Sequence, residues 1–420
     1  MVSHISSCRK QPSFFVVVQL MIIASFFTFY YFVYMPMQRS VVLQVQQGHL
    51  QQQKNLLTTT LSKIVRCDHL NTCLSSIGQD GIWEQDWDFA EKYGQFPLPM
   101  VIPSGRMTRI RHEQFRPSHD APYPWPTSWK WINTQPHCNS NMQYMSPEVL
   151  CQLLEDFNID RIAFYGDSLT ASHYTSFVNK LGSQYVQLSA ESIFNSTLMC
   201  NSTNQQGQRL IPLFHKRDEG GQAFPNSNRT KYQIDEEMTY FLTKSTKPAL
   251  GIFNIGAHYH NFTWYKEDMQ IMLRSLTQIN RTQDLYFFRT TAPGHPRCNP
   301  RNPKTFNWTR GTRDTPLSSL KELDLTRQNF DWERCGDYNR YTRESIREYS
   351  WNGTLMNMHV LDIYNMTALR QDGHGAVNGD CLHYSLPGPI DWWNHLLATY
   401  LHELRNALKS MEVVKCRPGV

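Results

Sequence analysis

Short apolar runs alternate with stretches of helical periodicity through the C-terminal part of the chain. The runs cover residues 161–165, 249–254, 285–289 and 359–363. Helical stretches follow the first run to about Leu181 and the second run around residues 267–276. Strands that alternate with helices form parallel sheets with helices on both faces, so the pattern predicts an α/β fold with a mostly parallel sheet in a three-layer α/β/α sandwich.

The last apolar pattern predicts an amphipathic helix near the end of the chain. Pro389 is expected in its first turn, where a missing N–H costs nothing. The apolar positions that recur at helical spacing are Ile390, Trp393, Leu397, Tyr400, Leu401, Leu404 and Leu408.

Residues 14–35 form an apolar segment with no charge between Lys10 and Arg39. About 20 apolar residues in a helix span a hydrocarbon core of about 30 Å, so the segment predicts a transmembrane signal-anchor. Two basic residues precede it and one follows, which places residues 1–13 in the cytosol and the rest in the lumen. The alternative is a cleaved signal peptide with an apolar core of about 7–15 residues, but this segment is longer and ends in bulky aromatics.

Beyond the anchor the composition changes twice. Residues 36–66 are rich in Gln and Thr and predict a stem, and residues 67–157 are rich in Trp, Pro and Cys and predict a loop-rich, disulfide-stapled subdomain. The strand–helix alternation then marks residues 158–420 as the catalytic domain. The net charge of +5 is spread thinly, without a run of five like charges, which argues against nucleic acid as a partner.

Glycosylation sequons and cysteines predict a lumenal location for everything after the anchor. Eight sequons stand at Asn195, Asn201, Asn228, Asn261, Asn280, Asn307, Asn352 and Asn365. Nine of the ten cysteines follow the anchor and form no C-x-x-C pair, which favours disulfides over a zinc site. Because nine is odd, one thiol is free or pairs between chains. We expect a single-pass type II protein of the Golgi or ER membrane.

A serine motif, Gly166-Asp167-Ser168, stands where the first apolar run meets its helix. A nucleophilic serine needs an exposed hydroxyl near free backbone N–H groups, and a helix N-terminus provides them. Glycine before it allows a sharp turn. Asp-Ser is also an ordinary helix cap, so this motif alone leaves both interpretations open.

A second motif, Asp380-Cys-Leu-His383, stands on a predicted loop ahead of the last helix. Together with an early serine it predicts a Ser-His-Asp triad. His383 would accept the Ser168 proton as general base, and Asp380 would orient its imidazole and stabilise the imidazolium.

Four segments resemble one known family. They are Trp129-Lys-Trp131 with Pro136-His-Cys138, residues 253–259 (FNIGAHY), residues 286–293 (YFFRTTAP) with His295, and the ending from Arg370-Gln-Asp-Gly-His374 through Asp380-Cys-Leu-His383 to Asp391-Trp-Trp-Asn394. This set resembles the PC-esterase branch of the SGNH/GDSL hydrolases, and most of all the trichome birefringence-like polysaccharide O-acetyltransferases. The resemblance implies an SGNH-type sandwich, catalytic roles for Ser168, Asp380 and His383, and oxyanion or substrate-positioning roles for Gly166, Asp167, Asn254 and Gly256.

The chain also departs from that family. Ala171 and Ser172 stand where members carry Arg-Asn, and the Arg is expected to help hold the acyl oxyanion. Ser385 replaces a family cysteine, so one disulfide must differ.

The function predicted from this resemblance is O-acyl transfer, with acetyl the expected group, to hydroxyls of a lumenal glycan or polysaccharide. A donor such as acetyl-CoA would serve as co-substrate, with no bound cofactor. Two alternatives remain: an esterase with the same triad, or a catalytically silent glycan-binding protein. His258 and His260 form an H-x-H pair without a third ligand at suitable spacing, so no metal is expected. His374 is expected to be structural or to support the site from behind.

Overall fold

The structure is a computed structural model that describes part of the chain. The described residues are 30, 74, 76–93, 125–135, 142–189, 195–201, 207–218, 232–295, 315–323, 325, 331–355, 357–374, 381–384 and 386–409. The predicted cytosolic tail and stem, and the predicted anchor apart from Tyr30, lie outside them. In the part of the chain that is described, no helix combines the length and the apolar character needed to cross a bilayer.

The described strands and helices are numbered in chain order. The strands are β1 (Gly81–Gln85), β2 (Trp129–Asn133), β3 (Arg161–Gly166), β4 (Val186–Leu188), β5 (Asn195–Asn201), β6 (Gln208–Arg217), β7 (Ala249–Phe253), β8 (Leu285–Arg289) and β9 (Met358–Leu361). The α-helices are α1 (Trp87–Tyr93), α2 (Pro147–Asp156), α3 (Ser168–Leu181), α4 (Glu236–Thr243), α5 (Phe262–Ile279), α6 (Cys335–Trp351), α7 (Tyr364–Ala368) and α8 (Asp391–Lys409). The last helix therefore begins two residues after Pro389 rather than around it.

A seven-stranded sheet in the order β4-β5-β6-β3-β7-β8-β9 forms the centre of the molecule. The pairs from β6 to β9 are parallel, while β4–β5 and β5–β6 are antiparallel. From β3 the chain moves first to β6 on one side and then to β7 on the other. Ligands of such doubly wound sheets bind outside the carboxyl ends of the strands where the order reverses, here between β3 and β7.

The predicted mostly parallel α/β sheet is confirmed, because the apolar runs become its buried strands. Every residue of β3, β7 and β8 is buried, as expected for strands covered on both faces. Ala163 and Tyr165 of β3 face a core shared with α4, α5 and α6. Phe164 points the other way, onto His173, Tyr174 and Phe177 of α3.

Tryptophans of the N-terminal segment pack against the C-terminal helix. Trp83 of β1 makes edge contacts with Trp131 of β2 and Trp392 of α8, at centroid distances of 5.2 and 5.3 Å. The Trp83 indole donates to the Met366 carbonyl at 2.9 Å, and the Arg370 guanidinium lies 4.5 Å from its ring centroid. The tryptophan-rich motif is thus a structural support for the segment that leads to His383.

The cysteines include both bonded and free thiols. A disulfide joins Cys151 of α2 to Cys200 of β5, and Cys381 is also disulfide-bonded. Cys335 is free, and it is fully buried, so it is not placed to pair with another chain. Among the described sequons, Asn195, Asn201, Asn261, Asn280 and Asn352 are exposed. Asn365 is half-buried and its amide donates to the Gln79 carbonyl at 2.9 Å.

Candidate active site

Ser168 is the first residue of α3, directly after the carboxyl end of β3. Asp167 caps the helix: its Oδ1 accepts from the backbone N–H groups of Leu169 and Thr170 at 3.0 and 3.2 Å. The cap satisfies these two N–H groups and leaves the helix dipole directed at the serine. Ser168 is 7% exposed and lies at the carboxyl end of β3, beside the end of β7.

Gly166 allows the two strand ends to approach each other. Its φ is +157°, and a Cβ built there would lie 2.3 Å from the Asn254 carbonyl oxygen and 2.6 Å from Thr170 Oγ1. No larger side chain fits this contact without moving backbone. The glycine of the serine motif is therefore required by the close approach of β3 and β7.

His383 lies against the nucleophile. Its Nε2 is 2.7 Å from Ser168 Oγ, which is a good hydrogen-bond distance for a general base. The structure thus joins two predicted residues that are 215 positions apart. Asp380 lies outside the described residues, so its contact with His383 stays a prediction.

Two histidines support the His383 backbone from behind. His374 Nδ1 lies 2.8 Å from the His383 carbonyl oxygen, and its Nε2 lies 2.6 Å from His295 Nδ1. On the other side of its ring, His295 Nε2 lies 2.8 Å from the Ala368 carbonyl oxygen. The backbone N–H of His295 donates to the Cys381 carbonyl at 2.8 Å. Burial lowers the pKa of His295 to about 4, so it is neutral at physiological pH. His374 has the supporting place that the sequence suggested.

Asp391 anchors the loop after His383 to α3. Its carboxylate accepts from Ser176 Oγ at 2.5 Å and from the Gly388 N–H at 3.0 Å, and it lies 3.5 Å from Lys180 Nζ. All four residues are buried. The final family-like motif therefore fixes the loop rather than touching the serine.

Asn254 and Gly256 shape the crevice wall after β7. Asn254 is fully buried, and its amide donates to the carbonyls of Arg289 and Ile255 at 2.7 and 3.3 Å. Both amide protons are thus used within the backbone. Gly256 has φ +143°, and a Cβ there would lie 2.8 Å from the Thr291 side chain, so it permits the turn that follows.

Arg289 lies beneath the serine turn and is fully buried. Its guanidinium donates to Thr170 Oγ1 at 3.1 Å, lies 3.8 Å from Asp167 Oδ1 and is 4.4 Å from the centroid of the Trp393 ring. Burial lowers its pKa to about 10, which still leaves it charged at neutral pH. Its charge balances the capping carboxylate, a role that the F-F-R motif did not reveal by itself.

His258 is the site residue that sequence reasoning missed. Its Nε2 lies 3.3 Å from Ser168 Oγ, and the side chain is 8% exposed. Burial lowers its pKa, opposed by Asp167 and assisted by the neighbouring charges of His383 and Arg217. The H-x-H pair was weighed in the sequence only as a metal site, which was not expected for want of a third ligand. The turn that precedes the ring contains Gly256.

Comparisons with known proteins identify a family that part of the chain resembles. Residues 254–400 match the PC-Esterase model, described as a GDSL/SGNH-like acyl-esterase family found in Pmr5 and Cas1p. The matched segment contains His258 and His383, while Ser168 lies before it and joins them through the fold.

Relatives come from Arabidopsis thaliana. Protein trichome birefringence-like 25 is 27% identical over 64% of this chain and 66% of the relative, and trichome birefringence-like 20 is 26% identical over 36% and 31%. Xyloglucan O-acetyltransferase 1 is 34% identical over 13% of this chain and 17% of the relative. The matched segments thus cover between about a third and two thirds of the length of the first two relatives. The resemblance to the trichome birefringence-like proteins that the motifs indicated is confirmed.

Proposed function

We propose that this chain, whose residues 254–400 match the PC-Esterase model, transfers an acetyl group to hydroxyls of a polysaccharide by way of Ser168. The observation that carries the proposal is the 2.7 Å contact between Ser168 Oγ and His383 Nε2 at the reversal of the strand order. Acyl-ester chemistry is common to the family description and to the named relative that acetylates xyloglucan.

The mechanism has two steps through an acyl-enzyme. Ser168 Oγ attacks the donor carbonyl while its proton passes to His383 Nε2. The bond between the acyl carbon and the donor's leaving group then breaks, and the leaving group takes the proton from His383. In the second step His383 removes the proton of an acceptor hydroxyl while that oxygen attacks the acyl carbon. The bond between the acyl carbon and Ser168 Oγ then breaks, and His383 returns the proton to Oγ. Asp380 stabilises the imidazolium in both steps.

The substrates follow from the same reasoning. The acceptor is a glycan or polysaccharide, in line with the relative named xyloglucan O-acetyltransferase 1. The donor is an activated acetyl compound such as acetyl-CoA, and it acts as a co-substrate. The site has the acid–base groups for this exchange in Ser168 and His383.

The proposed location is the lumen of the Golgi or ER, with residues 14–35 as a signal-anchor. The Cys151–Cys200 disulfide supports an oxidising compartment. Five exposed asparagines in sequons support contact with the glycosylation machinery.

An esterase is the second candidate, because the family description names acyl-esterases. The acyl-enzyme is the same, and the two activities differ only in whether water or a sugar hydroxyl reaches the acyl carbon.

The test uses the purified full chain with an acetyl donor and a panel of neutral and acidic oligosaccharides. Mass spectrometry should show that an acceptor gains one acetyl group. In Ser168→Ala the rate of this transfer should fall by about 10³-fold or more. Loss of acetyl groups from pre-acetylated oligosaccharides, without any gain, would establish the esterase. If neither occurs and a fluorophosphonate probe leaves Ser168 unlabelled, the enzymatic proposal is wrong.

A further inference from the structure

Ser168 Oγ lies between two imidazole rings. His383 Nε2 is 2.7 Å away and His258 Nε2 is 3.3 Å away. A hydroxyl has one proton to donate, so it can donate to only one of the two nitrogens. The other nitrogen forms a hydrogen bond with Oγ only if it carries a proton and donates.

The environments of the two rings decide which one is the donor. His383 has the shorter contact and is half-buried on the loop after Cys381, as suits a group that charges during each step. His258 is buried, and burial lowers its pKa, so a proton added to it would be costly. A neutral His258 with its proton on Nε2 is a donor to Oγ and a poor base.

Two side-chain donors expected for the acyl oxygen, and a nearby buried arginine, are replaced or engaged elsewhere. Asn254, the expected candidate, spends both amide protons on backbone carbonyls. Ala171 occupies the place of the arginine expected from the family resemblance. Arg289 is turned beneath the serine toward Asp167 and Thr170.

We propose that His258 is a catalytic residue that donates from Nε2 to the oxyanion of the tetrahedral intermediate. This inference rests on the proposed acyl-transfer function and deepens it. The new Oγ–carbon bond forms, the carbonyl π pair moves onto oxygen, and the Ser168 proton goes to His383. His258 keeps its own proton throughout and shifts its hydrogen bond from Oγ to the adjacent oxyanion.

The fixed position of His258 suits this role. The Ala257 N–H lies 3.4 Å from Asp167 Oδ2, which ties the loop to the cap of the serine helix. The Tyr259 hydroxyl, on the residue that follows His258, donates to Asp268 Oδ2 at 2.7 Å. A donor held on both sides stays aimed at the nucleophile without reorganisation during the reaction.

The experiment compares four variants of the full chain with p-nitrophenyl acetate as donor and water as acceptor. His258→Gln keeps an N–H near the Nε2 position, while His258→Asn is too short and His258→Leu has no donor. His402→Leu on α8 is a matched control, because His402 contacts Glu403 and Asn406 at a helix surface. Thermal unfolding of each variant checks the fold.

We expect kcat/KM to fall about 10²- to 10³-fold in His258→Leu and His258→Asn, the loss typical of one oxyanion donor, and less than about 10-fold in His258→Gln. The affinity for a boronic acid, which forms a tetrahedral adduct with serine, should fall in the same variants and in the same order.

Two results would overturn the inference. Wild-type turnover in both His258→Leu and His258→Asn would show that the ring is only structural. A His258→Gln variant as inactive as His383→Ala, with an unchanged Tm, would make His258 a base. Should His258→Leu fail to fold, the Gln and Asn pair still decides. Failure of wild type to react with the ester or the fluorophosphonate would instead refute the proposed function itself.

Discussion

The two sides of the proposed site are held in different ways. Ser168 follows β3 directly and begins α3, so its position depends on a strand end, a glycine and a helix cap within three residues. His383 lies in a described loop segment, residues 381–384, and is held by His374, by a disulfide at Cys381 and by the Asp391-anchored loop. The nucleophile is thus placed by local secondary structure, and the base is placed by long-range side-chain contacts.

The largest expected effect comes from disturbing the local side. In Gly166→Ala the new Cβ would meet the Asn254 carbonyl oxygen at 2.3 Å. We expect the free energy of unfolding to fall by about 2–4 kcal/mol, because backbone of β3 or β7 must move. Chemical denaturation measures this, and Gly353→Ala, at a left-handed turn with open space around it, is the control for conformational strain alone. Equal losses in the two variants would contradict the close-approach argument.

A medium effect is expected on the long-range side. His374→Leu removes the contact with the His383 carbonyl, and kcat/KM should fall between about 10- and 100-fold as the base drifts by a fraction of an ångström. His374→Asn keeps a donor near the Nδ1 position and should retain most activity. If fluorophosphonate labelling is equally fast in both variants and wild type, the loop holds His383 without His374.

The smallest effect, counted per pH unit, is the pH dependence of stability, which separates the site from the core. Burial lowers the pKa of His295 and of His359 to about 4, against an ordinary value of 6.5. The unfolded chain therefore binds more protons below pH 6.5, and stability is lost as pH falls from about 6.5 to about 4. Each histidine contributes at most about 1.4 kcal/mol per pH unit.

Thermal unfolding between pH 7 and pH 4.5 measures that slope. His359→Leu, in the core beside Phe287, should flatten the slope while leaving the pH profile of ester turnover unchanged. An unchanged slope would mean that other groups dominate acid unfolding.

The same contrast explains what could be predicted from the sequence. Strands β3, β7, β8 and β9 are short and apolar because both faces are covered, and a run of that kind is visible without any alignment. Strands β4 to β6 were missed: β5 alternates buried and exposed residues and carries two sequons, and β6 contains Pro212. Helix α6 was missed because its buried face includes Thr342 and Ser345, so its apolar periodicity is weak.

The site shows the same division. Ser168 and His383 could be recognised because each stands in a motif of a few adjacent residues. The contact between His258 and Ser168 depends on the turn at Gly256 and on the spacing of two neighbouring strands, which no local pattern encodes. The hydrogen bonds of the Asn254 amide to two backbone carbonyls likewise depend on the three-dimensional structure and have no local sequence signal.

The Cys151–Cys200 bond has a consequence for biosynthesis. Both cysteines leave the ribosome before any residue of β7, β8 or β9, since those strands begin at Ala249. In an oxidising compartment the cross-link can therefore tie α2 to β5 while three of the seven strands are still untranslated. A nascent chain restrained in this way presents β3 with its β6 side organised, ready to accept β7 as the next strand to emerge.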